Sequence, residues 1–154
     1  MPAEVTVREA TRADAPAMAT LRRHWRHERR GIPMDADEGF PLRFAAWLDD
    51  QLGRGSRAWV ASRDDRCVGM LLMFVHERMP EPGLDAGRWG YVGNVFVLPA
   101  HRDVGTGRRL LDAALAHADE RGFARVVLNP SERSVSLYER AGFTSDHPLL
   151  VREG

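Results

Sequence analysis

The stretch that most constrains the fold is residues 89–108, WGYVGNVFVLPAHRDVGTGR. An apolar, strand-like run from Tyr91 to Leu98 meets Pro99, and a short polar loop then leads to two glycines. A helix follows at once, because apolar residues recur there at intervals of three or four. These residues are Leu110, Leu111, Ala114, Leu115 and Ala118. The sequence therefore predicts a strand whose end leads into a glycine-containing helix N-terminus.

A helix N-terminus of this kind is suited to hold an anion. Its first N–H groups have no partner within the helix, and the macrodipole places partial positive charge there. Gly105 and Gly107 lack a Cβ, so a phosphate can come close to the backbone. We therefore expect a phosphorylated ligand at residues 102–108. The stretch lacks the Lys-Ser or Lys-Thr of a P-loop, and Leu110 stands where a dinucleotide-binding fingerprint requires a third glycine.

Two segments together resemble a known family. Residues 102–107, Arg-Asp-Val-Gly-Thr-Gly, are similar to the acyl-coenzyme A signature of the GCN5-related N-acetyltransferase (GNAT) superfamily, Gln/Arg-x-x-Gly-x-Gly/Ala. The second segment, residues 137–143, reads Leu-Tyr-Glu-Arg-Ala-Gly-Phe and lies at the distance expected in that superfamily. The resemblance covers the C-terminal half of the chain, and the N-terminal third matches it in the order of its elements.

The composition fits a single domain over residues 1–154. Acidic and basic residues number 22 each, so no net field favours nucleic acid or an anionic membrane as a partner. The longest apolar run is too short to span a bilayer, and the N-terminus lacks the layout of a secretion signal. The single cysteine, Cys67, forms no internal disulfide, which is typical of a reducing compartment. We expect a cytoplasmic protein.

Hydrophobic periodicity and turn residues predict the order of the elements. They are a strand near Val5, helices over 14–30 and 41–52, a hairpin of strands 58–62 and 67–76, a mobile loop over 78–88, a strand over 91–98, a helix ended by Gly122, a strand over 124–128, a helix carrying Tyr138, and a last strand over 147–152. The resemblance implies an α/β, GNAT-like fold. Its central mixed, mostly antiparallel sheet has about six or seven strands with a splayed parallel pair, flanked by about four helices.

The resemblance also implies where a coenzyme binds. The pantetheine arm lies in the wedge between strands 91–97 and 124–129, and the pyrophosphate lies on the N–H groups of residues 103–108. Gly93 either marks a bulge that opens the wedge or is a small residue beneath a neighbouring side chain. The expected coenzyme-binding residues are Phe96, Val97, Arg102, Asp103, Val104, Gly105, Thr106, Gly107, Arg108, Asn129, Ser131, Ser134 and Tyr138.

Tyr138 is the expected general acid. A phenol of pKa ~10 stays protonated at neutral pH and can donate to a departing thiolate. The glutamate that many members of the superfamily carry as the base is missing here, because its strand positions hold Tyr91 and Gly93. Asn94 is a candidate polar or water contact, and Glu28 is a candidate base. The other candidate bases are Asp37, Glu38, His76 and Glu77. An acceptor amine of low pKa needs none of them.

These residues lead to three hypotheses. The first is acetyl transfer from acetyl-CoA to a primary amine of a small molecule, peptide or protein, without an acyl-enzyme because Cys67 lies outside the motifs. The second is a non-catalytic acyl-CoA-binding or regulatory module of the same fold, and the third is a binder of another phosphorylated metabolite. We expect no metal, since the helix sequence HERRG lacks the second histidine of a zinc-protease motif. A homodimer is an expectation from the family.

Overall fold

The structure is a computed structural model and describes residues 3–154. These residues form five strands and four α-helices, with single 3₁₀ turns before α1, α3 and α4. Their bounds are β1 Thr6–Glu9, α1 Ala15–Arg30, α2 Phe40–Gly53, β2 Arg57–Arg63, β3 Arg66–Glu77, β4 Arg88–Val97, α3 Thr106–Glu120, β5 Arg125–Leu128 and α4 Val135–Arg140.

The strands form one mixed sheet in the order β1-β2-β3-β4-β5. The pairs β1–β2, β2–β3 and β3–β4 are antiparallel, and β5 runs parallel to β4. The hairpin of β2 and β3 turns at Asp64 and Asp65, which both have positive φ angles, 50° and 60°. The mixed, mostly antiparallel sheet with one parallel pair and four helices is therefore confirmed.

The predicted strand count was too high. The described chain has five strands in its sheet, and residues 147–152, expected to be a last strand, form none. Leu149, Leu150 and Val151 are exposed there, and β5 pairs only with β4. An apolar run becomes a strand only where a neighbouring strand completes its hydrogen bonds. That requirement is not visible in the local pattern.

Consecutive residues of β3 face opposite sides of the sheet, so both of its faces are buried. Met70 and Leu72 pack in one core with α1 and α2, and Leu71 and Met73 pack in the other core with α3. The helices contribute Met18, Leu21, Phe44 and Leu48 to the first core and Leu110, Leu111 and Ala114 to the second. Burying each large apolar side chain contributes about 1.5–3 kcal/mol. The prediction of a central β3 is confirmed.

The parallel pair opens at Gly93. The pairing of β4 with β5 ends at Val92 and Leu128, and the register of β4 against β3 shifts at the same place, leaving Gly93 as an extra residue. Beyond it, residues 94–97 pair with β3 alone. Gly93 is therefore the bulge residue, and it is also a small residue beneath a neighbouring side chain, because a Cβ built there would lie 2.5 Å from Cε2 of Phe74. A bulge and a splayed pair thus create a gap beside the second half of β4.

Candidate active site

A cleft of about 760 Å³, here called the polar cleft, opens beside the second half of β4. Its other walls come from the loop before α3, the first turn of α3, α4 with the turn before it, and the end of α1. The structure thus brings most of the predicted coenzyme residues to one place. They are Phe96, Val97, Arg102, Asp103, Gly105, Thr106, Gly107, Arg108, Ser131, Ser134 and Tyr138.

The start of α3 presents free backbone donors to the polar cleft. The first helical bond runs from the Arg109 N–H to the Gly105 carbonyl at 3.0 Å, so the amides of 106–108 have no partner within the helix. Gly105 holds φ 86°, the left-handed conformation that favours glycine, and a Cβ there would meet nothing within 4 Å. The Thr106 hydroxyl donates to the His101 carbonyl at 3.2 Å and fixes the turn. This is an open, positively polarised cradle.

Arg102 is held by three partners around this cradle. Its Nε donates to the Val97 carbonyl at 2.8 Å, and its guanidinium lies 5.4 Å from the ring centroid of Phe96. Its two terminal nitrogens donate to the two oxygens of Glu28 at 2.9 and 2.6 Å. The hydrogen bonds from Arg102 lower the pKa of Glu28. Glu28 therefore remains an anion that orients Arg102, with little tendency to accept a proton.

Tyr138 lies on α4 with its ring buried and its side chain on the wall of the polar cleft. The ring of Phe143 packs against it at 5.8 Å between centroids, with the planes at 69°. Within residues 3–154 the Tyr138 hydroxyl has no hydrogen-bond partner. Burial raises the pKa of Tyr138 above its usual value near 10. The phenol is thus protonated at neutral pH and its hydroxyl is uncommitted.

The other face of β4 borders a second cavity of about 550 Å³, here called the apolar cavity. It lies between α1, α2 and strands β3 and β4, and Asn94 lines it while the next residue, Val95, lines the polar cleft. The two cavities therefore share β4 as a wall. The lining of the apolar cavity comprises Met18, Arg22, Phe40, Arg43, Phe44, Trp47, Met70, Leu72, Phe74, Gly93 and Asn94.

The comparison with protein families decides the assignment. The model of the acetyltransferase (GNAT) family matches residues 17–143, which is most of the chain. The chain belongs to this family. Its resemblance to the GNAT superfamily, inferred from residues 102–107 and 137–143, is therefore confirmed.

Among proteins of known sequence, this GNAT chain is similar to mycothiol acetyltransferase of Geodermatophilus obscurus, 44% identical over 59 residues. That match covers 34% of this chain and 19% of the relative, so it spans about a fifth of that protein's length.

Solved structures with the same fold include a protein described as a predicted acetyltransferase from Clostridium acetobutylicum, determined with acetyl-CoA. It is 20% identical, covers 97% of this chain and 96% of its own, and has a TM-score of 0.76. A ribosomal-protein-alanine N-acetyltransferase from Brucella melitensis biovar Abortus 2308 is 25% identical, with coverage of 98% and 100% and a TM-score of 0.71.

Some predicted site residues of this GNAT chain lie outside the polar cleft. Asn129 is exposed and Val104 is 64% exposed, and neither is among the residues that line the cleft. Asn94 lines the apolar cavity instead. The other candidate bases line neither cavity; they are Asp37, Glu38, His76 and Glu77. Asp37 binds Arg43 through both oxygens at 2.9 and 2.6 Å, and these bonds lower its pKa.

The sequence did not single out several arginines that line the polar cleft. Arg29 comes from α1, Arg133 from the turn before α4, and Arg140 from α4 itself. The seven-residue spacing of Arg133 and Arg140 is the one available signal, because it places two cations on one side of a helical segment. Arg102 and Arg108 are paired with Glu28 and Asp112, whereas these three arginines form no ion pair within residues 3–154, so they supply the uncompensated positive charge of the cleft, which is suited to phosphate groups.

Within residues 3–154, no three or more His, Cys, Asp or Glu side chains are grouped so that they could hold a metal ion. Over the same residues, no helix combines the length and apolar character that crossing a membrane requires.

Proposed function

We propose that this GNAT protein transfers an acetyl group from acetyl-CoA directly to a primary amine in a ternary complex. The observation that carries the proposal is that one cleft is lined both by the start of α3, with its unpaired amides, and by Tyr138, whose hydroxyl is uncommitted. A diphosphate held by those amides leaves the length of the cleft for the pantetheine arm. The gap beside residues 94–97 then accommodates the thioester end.

The residues present fit the coenzyme chemically. The cradle is open because Gly105 and Gly107 have no side chain there, and the nearest atom to a Cβ on Gly107 is Cδ2 of Leu137 at 3.8 Å. Amide donors and arginines complement a diphosphate and a further phosphate group. Glu28 and Val97 hold Arg102 in place, so its guanidinium forms a fixed edge of the cradle, and Glu28 offsets its charge. These features support coenzyme A over a small free phosphate ester.

Tyr138 serves as the general acid in this proposal. The lone pair of a neutral amine forms the new bond to the thioester carbonyl carbon, and the carbon–sulfur bond breaks. The Tyr138 hydroxyl gives its proton to the leaving sulfur, and the proton lost by the amine restores the phenol by way of solvent. Its raised pKa keeps the hydroxyl protonated at neutral pH, ready for this step.

Among residues 3–154, the carboxylates that line the polar cleft are those of Glu28 and Asp103, and we assign neither as the base, since Asp103 belongs to the loop that leads into the start of α3. The segment RWGYVGNVFV of β4 contains no Asp or Glu, and Glu28 is occupied by Arg102. Asn94 supplies an acceptor instead of a base, because its amide oxygen can bind an N–H of the incoming amine but cannot hold the proton. We therefore assign the attack to an amine that is already neutral when it binds.

The proposal is tested by following thiol release from acetyl-CoA with a panel of amines and by mass analysis of the products. Thiol release that depends on the amine, with a product heavier by one acetyl group, is the expected result.

The missing carboxylate on β4 favours the second hypothesis, a non-catalytic acyl-CoA-binding module. Calorimetric binding of acetyl-CoA without thiol release for any amine would support that module and reject the transferase.

A further inference from the structure

We propose that the acceptor is a small amine carrying an aromatic ring and a carboxylate, such as an aromatic α-amino acid, bound in the apolar cavity. This inference rests on the proposed acetyl transfer and adds the substrate class. It is drawn from the aromatic wall of the cavity, from one unpaired cation on it, from one unpaired acceptor atom beside β4, and from the absence of any carboxylate in its lining.

The wall of the apolar cavity is largely aromatic. The rings of Phe44 and Trp47 lie 5.8 Å apart, and the ring of Phe74 meets Trp47 edge-on at 6.1 Å. Phe40 continues the series at 5.8 Å from Phe44. Aromatic rings pair at these separations, so a planar ring in the cavity gains stacking or edge contacts in addition to burial. The volume of about 550 Å³ lies within the range of small-molecule sites, roughly 300–1,000 Å³.

Two arginines line the cavity, and only one of them is neutralised. Arg43 binds both oxygens of Asp37, whereas Arg22 has no ion pair or hydrogen bond within residues 3–154. The Arg22 guanidinium lies over the ring of Trp25 at 4.0 Å and is half-buried. Burial, followed by the nearby charge of Arg26, lowers the pKa of Arg22. A half-buried cation without a counter-ion is matched by a carboxylate on the ligand.

Asn94 lines the apolar cavity on the side that borders the splayed strand. The Oδ1 atom of Asn94 is buried and has no hydrogen-bond partner among residues 3–154. A buried carbonyl oxygen left without a donor is costly, so an N–H from the ligand is the natural partner. Asn94 adjoins Val95, which lines the polar cleft, so an amine bound by Asn94 lies beside the wall shared with the thioester.

The same lining argues against polycationic acceptors. Arg43 is neutralised by Asp37, so Arg22 supplies the uncompensated charge of the lining, which contains no Asp or Glu; a polyamine or an aminoglycoside would therefore bring several positive charges to a cation and find no counter-charge there. Like charges brought together in a partly desolvated site are unfavourable. An amino acid brings one carboxylate to Arg22, its amine reacts in the neutral form, and its ring occupies the aromatic part of the cavity.

The test compares acceptors that differ in one group. L-phenylalanine and L-tryptophan carry ring, amine and carboxylate; phenylalaninamide lacks the carboxylate; L-alanine lacks the ring; and spermidine is a polycation. Thiol release from acetyl-CoA is measured for each, with calorimetric titration of acetyl-CoA as an independent measurement. The aromatic amino acids are expected to exceed phenylalaninamide and L-alanine in kcat/KM by about tenfold or more.

Arg22→Met and its matched control Arg26→Met assign the effect to one cation. Arg26 is exposed on the same helix and does not line the cavity. Arg22→Met is expected to raise KM for L-phenylalanine by about tenfold while leaving phenylalaninamide and the affinity for acetyl-CoA unchanged. Arg26→Met is expected to leave all three values near those of the unmodified protein.

The outcomes separate the two proposals. Equal or better turnover with spermidine, phenylalaninamide or L-alanine would overturn the substrate class while leaving acetyl transfer in place. An Arg22→Met variant that keeps the preference for a carboxylate would overturn the role of Arg22. Binding of acetyl-CoA without thiol release across the whole panel, extended to peptide amines, would overturn the proposed function itself.

Discussion

Both oxygens of the Glu28 carboxylate accept hydrogen bonds from the Arg102 guanidinium, at 2.9 and 2.6 Å, across 74 residues of sequence. The pair joins the end of α1 to the loop before α3 inside the polar cleft. It explains why the one acidic residue of α1 in the cleft is unsuited to deprotonate an amine. It also fixes the position of the Arg102 guanidinium beside the start of α3.

Glu28→Gln is expected to lower the thermal stability of the protein by an amount that depends on pH. The pKa of Glu28 is lowered in the folded protein, so its ionised form stabilises the fold above its unfolded pKa, near 4.3. That stabilisation is lost as the pH falls through the lower folded pKa. Thermal melts between about pH 3 and pH 7 should therefore show a Tm gap between the two proteins that narrows on acidification. A gap that is constant or widens towards low pH would contradict this role.

Asp112→Asn is the matched control for that series. It removes an exposed pair on α3, Arg108 Nε to Asp112 Oδ1 at 2.8 Å, which lies within one turn of the helix. Exposed pairs of this kind contribute about 0–1 kcal/mol. The control should therefore change Tm little across the same range, and Arg102 should keep its partners.

Tyr138→Phe is expected to lower kcat by about 100-fold or more, because a positioned general acid contributes roughly 10²–10⁴ to the rate. The ring and its packing on Phe143 are retained, so the calorimetric affinity for acetyl-CoA should stay within about twofold. Tyr91→Phe is the control, since Tyr91 is the other of two tyrosines and lines neither cavity. Undiminished turnover in Tyr138→Phe would remove this residue as the acid.

Gly105→Ala tests the phosphate cradle. Alanine at φ 86° is strained by about 1–2 kcal/mol, and its methyl group would occupy open space at the start of α3, where we place the phosphate. Gly122→Ala imposes similar strain at φ 66° after α3, away from the polar cleft. Urea unfolding should show a loss of stability in both variants, whereas only Gly105→Ala should weaken coenzyme A binding. Equal binding by the two variants would place the phosphate elsewhere.

Gly93→Ala tests the bulge that opens the sheet. Its Cβ would lie 2.5 Å from Cε2 of Phe74, so the ring must move, and overpacking of this kind costs about 1–3 kcal/mol. Because Phe74 lines the apolar cavity, amine KM should rise as well. Gly87→Ala is the control, since its Cβ would make an ordinary 3.5 Å contact with Arg78. Free energies of unfolding that are equal in the two variants would show that Gly93 is not required by packing.

Local patterns predicted those parts of the molecule that local physics decides. The apolar run of β3 indicated a strand buried on both faces, and the spacing of Leu110, Leu111 and Ala114 indicated the buried face of α3. The turn at Gly105 followed from a glycine placed just before that periodicity. These features depend on neighbours within a few residues.

The features that depend on tertiary contact were not predictable from the sequence. The expected strand over 147–152 does not form, because a strand needs a neighbour to complete its hydrogen bonds and β5 pairs with β4 alone. The pairing of Glu28 with Arg102 joins residues far apart in sequence, so the sequence could suggest Glu28 only as a candidate base. The apolar cavity lies where α1 and α2 pack on the sheet, and no sequence motif indicates its aromatic wall.

The most direct test of the account is a crystal structure of the protein with coenzyme A. We expect the diphosphate on the amides at the start of α3 and the sulfur within hydrogen-bonding distance of the Tyr138 hydroxyl, at the gap beside residues 94–97. A coenzyme bound outside the polar cleft, or one whose sulfur lies remote from Tyr138, would contradict the proposed transfer.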